Sequence, residues 1–206
     1  MSLYSEQVVP RVLSRIMDDK HMREARARVC AGLTGTVLEV GFGTGLNLPF
    51  LPPAVTQLIA VEPSPVAVEL AGRRIRDSST PVEILSLDEQ LRLEAGSVDS
   101  ALMTWTLCSV DDPVFRLREI YRVLRPGGEL HFVEHGLSTD PRVNRWQHRL
   151  TPLHRRLVDN CHLDRGMISL LKRGGFHIQR RDWEFYYAKG KRKTVGATYE
   201  GVATAT

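Results

Sequence analysis

Three alternating glycines, Gly41, Gly43 and Gly45, stand between two carboxylates, Glu39 and Glu62, in a pattern suited to holding a nucleotide-like ligand. Without side chains, a turn can take positive φ and let a ligand approach its backbone closely. Glu62 ends an apolar run, Thr56 to Val61, and a carboxylate at that place can accept hydrogen bonds from both hydroxyls of a ribose. A dinucleotide fingerprint requires Gly or Ala at position 46, where Leu46 stands, so NAD is disfavoured. The plain alternative is a glycine-rich turn without a ligand.

A second group of side chains could move protons. His135 closes the string ELHFVEH and is a candidate general base or substrate contact, with a hydrogen-bonded strand-end histidine as the alternative. His154, in a stretch with helical pattern, is a second candidate base. His131 and His135 are separated along one strand by ~13 Å, too far to share an ion. Cys161 and His162 are adjacent, so their side chains diverge and a catalytic pair there is disfavoured. The cysteines Cys30, Cys108 and Cys161 are odd in number and widely spaced, matching neither a disulfide framework nor a zinc cluster, and no metal site is expected.

These residues need a scaffold, and the pattern around them predicts one. Val37, Leu38 and Val40, bounded by Gly35 and Gly41, read as a strand buried on both faces of a parallel sheet. Pro49, Pro52 and Pro53 limit the next helix to a turn or two. Thr56 to Val61 is the second strand, after which Ser64 caps a helix with Pro65 in its first turn. Val82 to Leu87 is the third strand, followed by a loop at Asp88 to Gln90, and Ser97 to Trp105 is the fourth. Asp111 or Asp112 caps a helix that ends at RPGG, and Leu130 to His135 is the fifth strand. Residues 141–175 are helical in pattern, Phe176 starts the sixth strand, and a closing hairpin runs from Phe185–Tyr187 through KGKRK to Val195 and Val202. Ahead of the sheet, Val8, Val12 and Ile16, then Met22, Ala25 and Val29, predict two short helices within residues 1–33.

The 206 residues suit a single domain spanning 1–206, and 42% hydrophobic with 25% charged residues is a soluble globular composition. No apolar run approaches the ~20 residues of a membrane span, and the start MSLYSEQVVPRV lacks the apolar core of a signal peptide. Together with the cysteine pattern this predicts a cytoplasmic protein. The net charge of +4 is uneven: residues 141–193 hold 14 Lys or Arg against 4 Asp or Glu, and the remainder 14 against 20. That basic face is compatible with an anionic small substrate, a transient contact with an anionic membrane surface, or RNA, although solvated surface charge is the commoner meaning.

Glu39 to Gly45, E-x-G-x-G-x-G, resembles motif I of class I S-adenosylmethionine (SAM) dependent methyltransferases, and LREIYRVLRPGG running into ELHFVEH is a second mark of that family. The resemblance covers residues 36–206. It implies an α/β fold, a doubly wound, mostly parallel sheet of seven strands with an antiparallel last strand, and SAM as cofactor. It also implies cofactor contacts from Glu39, Gly41, Gly43, Gly45, Asn47, Glu62, Thr104 and Trp105, with Asp88 the better guess at the adenine ring, and a substrate cap from 141–175.

The strings TLCSV, WQ at Trp146, DNCHLDR and YEGVA look most like the methyltransferase-like thiol S-methyltransferases, whereas quinone and phosphatidylethanolamine methyltransferases share fewer of them. A small or lipophilic thiol methylated on sulfur is thus the expected reaction, with the cap wall at Trp146, Leu150 and Leu153. A quinol, phenol or phospholipid head group is the alternative acceptor. Thr104 to Cys108 stand where base N-methylating enzymes carry Asp/Asn-Pro-Pro-aromatic, so no stable nucleic-acid partner is expected. A non-catalytic SAM-binding protein remains the competing class. Oligomeric state is not legible.

Overall fold

The computed structural model describes residues 16–206, so the predicted helix at Val8 to Ile16 lies almost wholly outside the described residues. The first described helix, α1 (Lys20–Cys30), is capped by Asp19, whose carboxylate accepts from the Met22 amide at 3.0 Å. Strands and helices then alternate: β1 (Gly35–Val40), a 3₁₀ turn at Leu48–Phe50, β2 (Val55–Val61), α2 (Pro65–Asp77), β3 (Val82–Leu85) and α3 (Leu87–Gln90). They continue as β4 (Val98–Thr104), α4 (Pro113–Val123), β5 (Leu124–His135), α5 (Pro141–Leu157), α6 (Met167–Arg173), β6 (Trp183–Tyr187), α7 (Lys193–Gly196) and β7 (Ala197–Thr204).

These strands form one seven-stranded sheet ordered β3-β2-β1-β4-β5-β7-β6. The pairs β3-β2, β2-β1, β1-β4 and β4-β5 are parallel, while β7 runs antiparallel to both β5 and β6. Central β1 has Val37, Leu38, Glu39 and Val40 all buried, as a strand covered on both faces requires. The order reverses direction between β1 and β4, which opens a crevice at their carboxyl ends, where ligands of doubly wound sheets sit. The core lies on both sides of β1 and β4. Leu38, Met103, Leu117 and Phe132 pack on one face, and Val29, Leu33, Leu58 and Leu102 on the other.

Several boundaries differ from the sequence reading. The third strand stops at Leu85 and Asp88 to Gln90 belong to α3, because Ser86 and Glu89 form a reciprocal capping box that turns the chain into a helix. The fifth strand begins at Leu124 and carries RPGG inside it, with a register shift between Val98 and Ser100 on its partner absorbing the irregularity. Phe176 does not start a strand: only His177 bridges to Thr204, and a 3₁₀ turn at Arg180–Asp182 intervenes before β6.

Helix α1 lies across the sheet. Arg28 clamps Glu200 of β7 through two bonds of 2.8 and 2.7 Å, and buried His131 of β5 donates from Nδ1 to the Val29 carbonyl at 2.8 Å. Among the described residues, no helix is long and apolar enough to cross a membrane.

Candidate active site

The turn after β1 is built by three glycines that do three different things. All have positive φ, +80°, +57° and +74° for Gly41, Gly43 and Gly45. A Cβ on Gly41 would strike Thr106 at 2.1 Å, and one on Gly45 would press on Phe42 at 3.0 Å, so these two permit packing within the protein. A Cβ on Gly43 would meet nothing within 4 Å, so this glycine faces open space. Glu62, at the carboxyl end of β2, fastens that turn: Oε2 accepts from the Gly43 amide at 2.7 Å and Oε1 from the Ser64 amide at 2.8 Å. Burial raises the Glu62 pKa, against the opposing pull of those two amides. Each oxygen keeps a lone pair for a further donor.

Beneath the turn lies a buried polar network. Asn47 donates to Glu39 Oε1 at 2.7 Å and to the Thr104 hydroxyl at 3.0 Å, while Arg26 Nη1 donates to Asn47 Oδ1 at 2.7 Å and to Thr104 Oγ1 at 3.0 Å. Asn47 thus bridges a buried carboxyl and a buried guanidinium. Desolvation pushes Glu39 up to about 8 and Arg26 down to about 10. Two atoms of this network, Glu39 Oε2 and Arg26 Nε, are buried without a partner. Arg26 also lies over the Trp105 ring at 4.8 Å from its centroid, and Trp105 holds φ 52°, an unusual value for a bulky residue just past a strand end.

Arg26 was not found by sequence reasoning. Its signal was present, since it shares the buried face of α1 with Met22 and Val29 at helical spacing. Asp88 stands apart from this network, exposed in the first turn of α3; Gln90 is the buried polar residue there, accepting from Arg116 Nη1 at 2.5 Å.

Trp105 borders a second space. A cavity of about 410 Å³ is walled by Met22, Trp105, His135, His154, Leu157 and Tyr187, among others. Both predicted base candidates therefore reach one cavity. His154 Nδ1 lies 3.0 Å from the Cys161 carbonyl oxygen, which can only accept, so Nδ1 carries the proton and Nε2 is left as the acceptor. His131 lies away from it, donating to the Val29 carbonyl of α1. The expected wall at Trp146, Leu150 and Leu153 does not line this space: Trp146 and Leu153 are 55% and 58% exposed, and α5 contributes His154 and Leu157 from its last turn.

One cluster had no counterpart in the sequence reading. Cys108 Sγ and Cys161 Sγ lie 3.6 Å apart, and His135 Nδ1 is 4.0 and 3.7 Å from them. Cys108 is placed by Glu134, a buried carboxylate whose oxygens accept from the amides of Thr106, Leu107 and Cys108 at 2.7, 2.8 and 3.1 Å. Cys161 follows Asp159 and Asn160, both at positive φ, with the Asn160 side chain donating to the Ser109 carbonyl at 2.8 Å. The available signal was indirect. Three of the strings that carried the family resemblance, TLCSV, VEH and DNCHLDR, converge at this point.

A family model described as a methyltransferase domain matches residues 38–132. The chain is 35% identical over 168 residues to thiol S-methyltransferase TMT1A of Homo sapiens, covering 75% of this chain and 68% of that protein. It is 28% identical over 137 residues to the ubiquinone/menaquinone biosynthesis C-methyltransferase UbiE of a Geobacter species, covering 64% of this chain and 58% of that protein. Among solved structures, a SAM-dependent methyltransferase from Thermotoga maritima superposes with a TM-score of 0.66 at 24% identity, covering 95% and 94% of the two chains, a likeness of fold.

Proposed function

The chain belongs to the class I SAM-dependent methyltransferases, and from that premise we propose that it transfers the methyl group of SAM to the sulfur of a small or lipophilic thiol. The observation that carries this reading is the shared wall at Trp105, which closes the polar network on one side and an apolar-walled cavity on the other. Donor and acceptor then meet across one residue. The naming of the 35% identical human relative as a thiol S-methyltransferase supports sulfur as the acceptor atom.

The residues present fit the cofactor. Support for the cofactor comes from the open face of Gly43, where a ligand can approach backbone, and from Glu62, our candidate ribose acceptor, which fastens the turn with lone pairs to spare. The unpartnered Arg26 Nε is a donor suited to the carboxylate of an amino-acid end, and the unpartnered Glu39 Oε2 becomes an acceptor for the ammonium once that charge has drawn Glu39 into its carboxylate form. SAM supplies an already electrophilic sulfonium methyl, so the protein's task is chiefly to align an acceptor with it. A thiol meets that task with little help, because its thiolate is nucleophilic even as a minor species at neutral pH. His154, with Nε2 free to accept, is the candidate base for an acceptor that must lose a proton.

The test is a product-formation screen of purified protein with SAM against alkyl thiols, hydrosulfide, catechols, quinols and phosphatidylethanolamine. Methylated thiols as the main products are the expected result. Turnover of an oxygen, nitrogen or carbon acceptor with thiols at background would overturn the thiol assignment and leave SAM-dependent methyl transfer standing.

A further inference from the structure

We propose that Cys108, Cys161 and His135 form a binding site for a single zinc ion at the wall of the acceptor cavity. In a tetrahedral site with Zn–S of ~2.3 Å and Zn–N of ~2.0–2.1 Å, ligand atoms lie roughly 3.5–3.8 Å from one another. The observed edges are 3.6, 3.7 and 4.0 Å, so one ion fits with shifts of a few tenths of an ångström. Two thiolates balance the charge of the ion, and sulfur with imidazole nitrogen is the donor set that favours zinc over magnesium or calcium.

The arrangement is braced from three directions. Glu134 fixes the loop carrying Cys108 through three amides, and the His162 amide donates to the Cys108 carbonyl at 2.8 Å, tying the two cysteine loops together. The consecutive positive-φ residues Asp159 and Asn160 bend the chain so that Cys161 meets Cys108, a local strain that the Asn160 bonds to the Ser109 carbonyl and Asp111 hold in place. Arg165 binds the Leu107 and Val110 carbonyls and so holds the loop that carries Cys108. Three protein ligands leave a fourth position for an external ligand, and His135 is the member of the three that also lines the cavity.

The site stands apart from the identity of the methyl acceptor, so its test does not read methyl transfer. The full chain, reduced and stripped of metal with a chelator, is titrated with Co²⁺ as a spectroscopic stand-in for Zn²⁺. One equivalent should produce thiolate-to-cobalt charge-transfer absorption that Zn²⁺ abolishes by displacement. Cys108→Ser and Cys161→Ser should each weaken binding by about 100-fold or more while keeping S-adenosylhomocysteine binding and circular dichroism, and His135→Gln should shift the visible bands of the remaining complex. No charge-transfer band, or a band that survives in both serine variants, overturns the proposal. Should a serine variant fail to fold, mass spectrometry of the unaltered chain after iodoacetamide decides: Zn²⁺ must protect both Cys108 and Cys161, and unchanged alkylation, or a pair recovered as a disulfide, defeats the site.

Discussion

The glycine turn and the sulfur cluster occupy the same edge of one sheet, yet they are held together in opposite ways. The turn is made of backbone: its glycines lie within five residues, and a single carboxylate from the neighbouring strand grips its central amide. The cluster is made of side chains from three separate stretches, with sequence separations of 26, 27 and 53 residues. A site of the first kind is shaped as soon as β1 and β2 pair, whereas one of the second kind exists only when β4, β5 and the end of α5 are all in place. The polar network joins the two regimes, since Asn47 is local to the turn and Arg26 and Thr104 are not.

The largest effect is expected from Gly43→Val. The backbone strain of a β-branched residue at positive φ costs ~1–2 kcal/mol, and nothing nearby is struck, so the chain should fold by circular dichroism. The added methyls fill the open face, and S-adenosylhomocysteine binding should drop beyond detection, ~1,000-fold or more. Co²⁺ binding at the cysteines should be unchanged in the same protein. Normal S-adenosylhomocysteine binding would show that Gly43 does not border the ligand.

Glu62→Ala removes the clamp on Gly43 and, in the proposed cofactor placement, two charge-assisted bonds to ribose, and should cost roughly 1.5–3 kcal/mol, about 10- to 150-fold in affinity by isothermal titration. An unchanged affinity would remove Glu62 from the cofactor site.

Glu39 gives a pH signature. Its carboxyl is raised by burial from 4.5 to about 8, so between those values the folded chain keeps a proton that the unfolded chain has lost. Stability of the ligand-free protein must therefore fall as pH rises through that window, by ~2 kcal/mol between about pH 5.5 and about pH 7.5, and Glu39→Gln should flatten the slope. Urea unfolding at the two pH values measures both; an equally steep slope in Glu39→Gln would assign the linkage elsewhere.

The smallest effect is expected at the outer surface of the second region. Trp146 is 55% exposed on α5, beside Arg149, so Trp146→Ala should change stability by no more than ~0.5 kcal/mol and leave acceptor kcat/KM within about twofold. A larger loss of acceptor turnover would restore this tryptophan to the pocket wall.

What could be read from the sequence follows the same division. Strands β1, β2 and β4, the Ser64 and Asp112 caps and the place of Glu62 were legible because periodicity, prolines and capping residues act over a few positions. Asp88 was misread as a loop residue because the capping box of Ser86 and Glu89 turned the chain earlier than the apolar run suggested. The pairing of Cys108 with Cys161 was not legible, since sequence spacing carries no information about which distant loops a sheet brings together, and helical spacing marked Arg26 as facing inward without naming its partners. Trp146 was drawn to the cavity by the family resemblance of its stretch and by its apolar type, neither of which fixes the direction in which a helix turns a side chain, and α5 turns it outward.

Arg26 belongs to a helix that precedes the sheet, and this separates two stages of assembly. The strands hydrogen-bond to one another without α1, whose links to them are the Arg28 clamp, the Val29 carbonyl and an apolar face, Ala25, Val29 and Cys30, that completes the core on one side of the sheet. Without α1, Asn47 would lose the Arg26 donor and Glu39 its nearby guanidinium charge. Docking of α1 brings the guanidinium to that network, so the chamber beneath the glycine turn is finished by the earliest described helix of the chain, and a shortened chain beginning at β1 would own the turn without Arg26.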